Sequence, residues 1–233
     1  KKKESIEALS KILNIYSHIS DIQNSFLQCY FNTDTAEKSF NELIQNKNYD
    51  FSRYNFFLAN YFLHKNQKEK AQLVIESGQK KYNSNLLLKQ SQNFILNKDF
   101  EKIKSFFNCK NPKHALAEFF YILANLFSSE ENYQLSNFYL KISLLLNNKF
   151  EPNKALLAEN FYYQKRYTIS KKMYQSIKSI GSVYSWYSSK SISAILSETA
   201  GIKRSIDNLE KEFNSLSDLN YEHYYELANF YKD

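Results

Sequence analysis

Four histidines, two cysteines and a scatter of carboxylates are the residues of this 233-residue chain that could do chemistry. His18, His64, His114 and His223 stand far apart, with no HExxH run and no neighbouring cysteine, so they read as solvated surface residues and not as metal ligands. Cys29 and Cys109 are isolated from one another in the sequence. Two such residues make neither a disulfide framework nor a zinc site, and they leave reducing and oxidising compartments equally open. Phosphate cradles and nucleophile elbows need glycine, and neither GxGxxG, GxxxxGK[ST] nor GxSxG occurs. The three glycines, Gly78, Gly181 and Gly201, sit at expected helix ends or packing positions. Carboxylate pairs such as Glu130 with Glu131, or Glu210 with Glu212, fall at helix starts or on exposed faces. There they balance helix dipoles or are solvated; they are not placed as a general acid and base. The expectation is a chain with no catalytic residues, no metal and no cofactor.

The elements that must position anything else are helices. Three glycines and two prolines cannot supply a fold of many tight turns, whereas 43% apolar and 17% aromatic residues can fill a large core. Helices joined by short turns of Asn, Ser and Lys meet that supply. No uncharged apolar run approaches the roughly 18 residues a membrane span needs. The most apolar stretch, Phe119 to Phe127, reads as a core helix. There is no signal peptide and no initiator methionine, Met173 being the one methionine, so the chain is expected to be a processed product or a piece of a longer protein.

A period runs through the sequence. Thr33-Asp-Thr-Ala36, Lys68-Glu-Lys-Ala71, Phe100-Glu-Lys-Ile103, Tyr133-Gln-Leu-Ser136, Tyr167-Thr-Ile-Ser170 and Ile202-Lys-Arg-Ser205 share a turn-then-small-residue form; their last residues are 35, 32, 33, 34 and 35 apart. Upstream at a fixed offset come Leu58-Ala59, Leu123-Ala124, Leu157-Ala158 and Leu227-Ala228, each followed three residues later by Phe62, Phe127, Phe161 or Tyr231. Downstream come Phe40, Ile75, Phe107, Leu140, Tyr174 and Leu209. Apolar residues at three- and four-residue spacing mark two helices per period, and small residues let the two approach. Neither helix buries its stripe alone, so neighbouring units must cover it.

This pattern resembles the tetratricopeptide repeat, W-x2-L-G-x2-Y followed by A-x3-F, over residues 17 to 233. The resemblance implies an all-α fold, a right-handed superhelical solenoid of antiparallel helix pairs. Six pairs would occupy 17–50, 52–83, 84–116, 117–150, 151–185 and 186–220. Residues 221–233 would be the first helix of a seventh, and residues 1–16 an N-terminal packing helix with Ile6, Leu9, Ile12, Leu13 and Tyr16 on one face. Gln23-Asn24 and Gln90-Ser91 depart from the apolar-small pair, Trp186 precedes the consensus aromatic position, and the usual terminal proline is missing.

In tetratricopeptide proteins the first helix of each pair lines a concave groove, and the register puts Phe56, Leu63, Leu88 and Ile95 among the groove positions here. At the matching positions only Arg53 and Lys190 are basic, beside Asp21, Glu118, Glu159 and Glu222. Lys68, Lys70, Lys80, Lys81, Lys102, Lys104, Lys171 and Lys172 fall instead on second helices and turns. The net charge of +7 therefore reads as a solvated outer face. A phosphate-binding groove is disfavoured, and the lysine-rich clamp of chaperone-tail binders has no counterpart. The groove offers amides, Asn60, Gln92, Asn125 and Asn229 at one repeat position, with Glu159 interrupting the series. Tyr121, Tyr162, Tyr163, Tyr187 and Tyr225 add flat amphipathic surface. The function expected is a non-catalytic scaffold binding a peptide or protein segment, similar to bacterial multi-repeat tetratricopeptide proteins. A helical-repeat RNA binder and a regulatory module of a larger enzyme are the alternatives, and cytoplasm and periplasm both stay open.

Overall fold

The computed structural model describes residues 2–11, 17–217 and 219–232. Among them every regular element is helical. The helices are α1 (Lys2–Ser10), α2 (Ser17–Phe31), α3 (Ala36–Gln45), α4 (Tyr54–His64), α5 (Lys68–Lys81), α6 (Leu86–Leu96), α7 (Phe100–Phe106), α8 (Pro112–Ser129), α9 (Tyr133–Leu146), α10 (Lys154–Tyr163), α11 (Tyr167–Ile177), α12 (Ser182–Ala200), α13 (Ile202–Phe213) and α14 (Tyr221–Phe230). Of the expected N-terminal helix, Ile6 is exposed, Leu9 is half-buried, and Ile12, Leu13 and Tyr16 lie outside the described residues. The period places unit boundaries at 116/117 and 185/186, and these fall inside α8 and α12.

Five of the six turns expected from the sequence share one construction. Asn32, Asn66, Lys98, Glu131 and Lys165 adopt left-handed backbone. The next residue's N–H reaches back to a carbonyl five residues earlier: Thr33 to Gln28, Gln67 to Phe62, Asp99 to Phe94, Asn132 to Phe127 and Arg166 to Phe161, at 2.7–3.0 Å. This is the Schellman closure, which satisfies carbonyls that a helix end leaves open. It is built without glycine in all five places, which is how so glycine-poor a chain makes its turns. The sixth turn uses Gly201, at φ +88°.

The small positions of the period are the helix–helix seams. Ala36, Ala71, Ile103, Ser136, Ser170 and Ser205 are all fully buried, as are Ala59, Ala124, Ala158 and Ser193 on the preceding helices. Four residues on, Phe40, Ile75, Phe107, Leu140, Tyr174 and Leu209 are buried too. Where serine takes the small position, its hydroxyl bridges the seam. Ser136 Oγ donates to the Ala124 carbonyl at 2.7 Å, and Ser170 Oγ to that of Ala158 at 2.8 Å. Ser193 and Ser205 donate to one another's carbonyls at 2.9 and 2.8 Å. Along α12 and α13 the contacts Ser185–Glu212, Asn208–Ser189 and Ser193–Ser205 climb one helix while descending the other, so that pair is antiparallel. In the α4–α5 seam Gly78 stands where an added Cβ would lie 2.8 Å from the Asn55 side chain, so only glycine permits that approach.

The chain divides into two compact units, 1–122 with 142–150, and 123–141 with 151–233; α8 and α9 each contribute to both. In the N-terminal unit α4 is buried all round, from Tyr54 to Leu63, within an aromatic core of Phe26, Phe40, Phe56, Phe57, Phe107 and Phe150. Phe57 lies between Phe107 and Phe150, at 4.7 and 5.8 Å between ring centroids. Several contacts here skip a repeat: Phe26 touches Phe107, and Phe56 touches Phe150. In a stack where each repeat meets only its neighbours these would not occur. Their cause is local. α7 stops after seven residues and Phe107 takes extended backbone, which carries it and the following loop to α2 and α4.

That loop corrects the reading of the cysteines. Cys29 on α2 and Cys109 are joined in a disulfide, with Cα atoms 5.9 Å apart and both residues buried. Their isolation in sequence concealed a pairing that depends on where α7 ends. Lys110 continues the attachment, donating to the Tyr30 carbonyl at 2.7 Å.

Candidate functional site

The ten positions expected to line a groove divide by unit. In the N-terminal unit they serve the fold. Asn60 is 1% exposed and its amide donates to the Ile103 carbonyl at 2.8 Å, holding α4 to α7. Its neighbours at groove positions, Phe56, Leu63, Leu88 and Ile95, are core residues. The sequence register expected one open face on each first helix; α4 has none. Gln92 is half-buried, with its Oε1 buried and unpartnered. Tyr121 is half-buried beneath the Arg53 guanidinium, which sits 3.9 Å from its ring centroid.

Arg53, expected in the groove, is the centre of a buried cluster. Its Nε and Nη2 donate to Glu118 Oε1 and Oε2 at 2.7 and 2.9 Å, and its guanidinium lies over Tyr121, Phe57 and Phe150. Burial works against the cation, but Glu118, Tyr121 and Tyr54 outweigh it and hold Arg53 protonated. Bidentate geometry of this kind is where arginine exceeds lysine.

In the C-terminal unit the tyrosines converge. Tyr133 and Tyr167, the turn residues of two successive periods, each meet a tyrosine of α10. Tyr133 stacks on Tyr163 at 5.5 Å and 14° between planes, and Tyr167 lies 5.7 Å from Tyr162. Tyr162 and Tyr163 themselves meet edge to face. Glu198 closes the group, accepting from the Tyr162 hydroxyl at 2.9 Å and from that of Tyr167. Those hydrogen bonds hold the Glu198 carboxyl low and push the Tyr162 phenol up to about 12, so at neutral pH a carboxylate accepts from two neutral phenols, Tyr162 and Tyr167. Tyr163 is 60% exposed and the other three rings are half-buried. The result is a flat, amphipathic patch whose rings are ordered before anything binds.

The remaining candidates are spread through this unit. Asn125 is exposed. Glu159 and Tyr187 satisfy each other, the half-buried carboxylate accepting from the phenol; burial, with that bond opposing it, raises the carboxyl. Asn160, which the groove register passed over, is the amide that links units 117–150 and 151–185. It donates to Ser136 Oγ and Asn137 Oδ1 at 2.7 and 3.0 Å, and accepts from Ser128 at 2.6 Å. On α14, Tyr225 is exposed and Asn229 half-buried. That helix buries none of its residues. Its Glu226 accepts from the Trp186 indole N–H and from Lys190 on α12. Both groove cations, Arg53 and Lys190, are thus paired with carboxylates.

Glu198 and the turn tyrosines were not among the candidate residues. Tyr133 and Tyr167 carry a signal in their 34-residue spacing, but spacing alone marks them as turn residues and not as neighbours. Among the described residues no group of three or more His, Cys, Asp or Glu could hold a metal ion, and no helix is long and apolar enough to cross a membrane. Compared with protein-family models and with curated proteins, the chain matches none.

Proposed function

We propose that this chain is a non-catalytic protein-interaction scaffold of the tetratricopeptide kind. In that reading its helix pairs belong to a right-handed superhelical solenoid that presents side chains to a peptide or protein segment. The recurring seam supports the repeat assignment: the same two positions are buried in successive helix pairs, and three pairs close them with a hydroxyl-to-carbonyl bond. One observation carries the binding role, the patch of Tyr133, Tyr162, Tyr163 and Tyr167 around Glu198. Tyrosine offers large contact area at small entropic cost and predominates where binding energy concentrates. Here the rings are braced by one another, so little freedom is lost on docking.

The test is cross-linking capture from the native cell, comparing the wild-type chain with Tyr133→Ser/Tyr163→Ser. Both rings lie at the surface, so the double variant is expected to keep its helical content and melting temperature. It should lose at least one partner that the wild type captures. An unchanged set of partners overturns the assignment of the patch.

A further inference from the structure

The positive charge of this protein is not spread over its length. Residues 51–113 contain twelve of the lysines and arginines but four of the aspartates and glutamates, a net of +8 where the entire chain carries +7. Arg53 is consumed by Glu118 within the core, so the surplus at the surface is all lysine.

The lysines near the start of α5 and along α7 are ordered by what lies beneath them. Lys65 sits 4.6 Å from the Tyr61 ring, Lys68 5.1 Å from Phe100 and Lys70 5.0 Å from Phe62. Lys68 and Lys104 share a neighbourhood with His64, for all three act on Glu101, whose carboxyl is drawn low chiefly by its bond from Lys104. Where carboxylates do reach this face, lysine takes them directly. Lys104 binds Glu101 at 2.8 Å, and Lys70 binds both oxygens of Glu37 at 3.1 and 3.3 Å.

We propose that this face is a docking surface for an acidic polypeptide segment, rich in glutamate or aspartate. It is a second site, separate in residues from the tyrosine patch and independent of it. Charge complementarity names the occupant, and three features narrow it to carboxylates on a peptide. The surface cations lack the guanidinium fork suited to phosphate. The rings beneath them are covered by ammonium groups, so none is offered for a base to stack on. Tyr61 and Phe62 are buried and Phe100 is half-buried, so the lysines leave little apolar surface to enter a bilayer.

The test uses fluorescence anisotropy with a labelled oligoglutamate peptide of a dozen or so residues, at low ionic strength and then at physiological salt. Lys65→Glu/Lys68→Glu/Lys104→Glu is compared with a charge-matched control in the C-terminal unit, Lys172→Glu/Lys203→Glu/Arg204→Glu, whose three positions are exposed. The first variant should bind about tenfold more weakly or worse, and the control within about twofold of wild type. Tyr133→Ser/Tyr163→Ser should bind the peptide as the wild type does, which separates this proposal from the tyrosine-patch reading. Lys65→Gln/Lys68→Gln/Lys104→Gln repeats the measurement should the reversed variant fail to fold. Equal loss in both reversals means that only overall charge matters and overturns the proposal. So does a wild-type chain that ignores the peptide, or one that prefers single-stranded RNA or phosphatidylserine vesicles at the same salt.

Discussion

The two units share one sequence period and are held together internally by different forces. In the N-terminal unit the α4–α5 seam is alanine and glycine, the core is phenylalanine, and contacts run between periods that are not neighbours. A disulfide and a buried arginine–glutamate pair anchor those contacts. In the C-terminal unit serine hydroxyls bridge the seams, and the links run from one repeat to the next, Ser128 to Asn160, Tyr187 to Glu159, Trp186 to Glu226. Alanine seams bring backbones together and leave stabilisation to apolar burial, which long-range aromatic contacts supply. Hydroxyl seams satisfy themselves locally and need no distant partner. The first arrangement draws its phenylalanines inward; the second sets four tyrosines against one another, with Tyr163 exposed. The surface chemistry of each unit follows from how its interior is closed.

Four outcomes would break or sharpen that contrast. The largest effect is expected from Glu118→Ala, which leaves the half-buried Arg53 cation without its partner, at a cost of about 3 kcal/mol, the low end for a buried pair. It is read from urea melts, with amide exchange accelerated in α4 and the start of α8; a loss under about 1 kcal/mol would mean that solvent screens the pair. The double replacement Arg53→Met/Glu118→Leu should recover most of the loss. Next, Cys29→Ser/Cys109→Ser, or reduction of the wild type, should cost about 2–4 kcal/mol, because the bond closes a long loop in the unfolded chain. Exchange should rise in the N-terminal unit while α10 to α13 keep their protection; equal loosening of both units would show that they are not separately stabilised.

A smaller effect is expected at the hydroxyl seams. Ser170→Ala and Ser136→Ala should each cost about 1 kcal/mol, measured as a lowered melting midpoint. The transplant Ala71→Ser should stay within about 0.5 kcal/mol of wild type, since the Ala59 carbonyl stands at the matching position twelve residues earlier. A large loss there would show the alanine seam too tight for an oxygen.

The smallest concerns pH. Burial lowers the His114 pKa, with Lys149 and His64 adding to it, and the Asn108 N–H donates to its Nδ1 at 3.0 Å. The folded state thus binds the proton less readily than the unfolded one. The contribution is complete above the ordinary histidine value of about 6.5, falls as pH drops below it, and levels once the folded ring is protonated. His114→Gln should flatten the change in N-terminal amide exchange between neutral and mildly acidic pH. An unchanged slope would place the sensitivity elsewhere.

How far these features were legible depends on their range along the chain. Ala36, Ala71, Ile103, Ser136, Ser170 and Ser205 could be named as seams because a helix pair fixes its own partners through one short turn. The same register misjudged Asn60, and it assigned Phe56, Leu63, Leu88 and Ile95 to a groove when they are core. A periodic pattern shows which residues share a helix face; it does not show how many other helices cover the rest. The tyrosine patch lay between these cases. Its members were visible as turn and groove tyrosines, but their convergence on Glu198 joins α10, α11 and α12.

The sequence by itself determined that this protein is helical, that its helices come in pairs at a 32-to-35-residue period, and which small residues the pairs close on. Those are local matters of spacing, side-chain size and turn chemistry. Only the tertiary structure decided that Cys29 meets Cys109, that Arg53 pairs with the buried Glu118, and that Tyr162 and Tyr167 share the Glu198 carboxylate. Each depends on helix lengths and packing summed over many residues. The early stop of α7 changes which elements meet, and no single position in the sequence announces it.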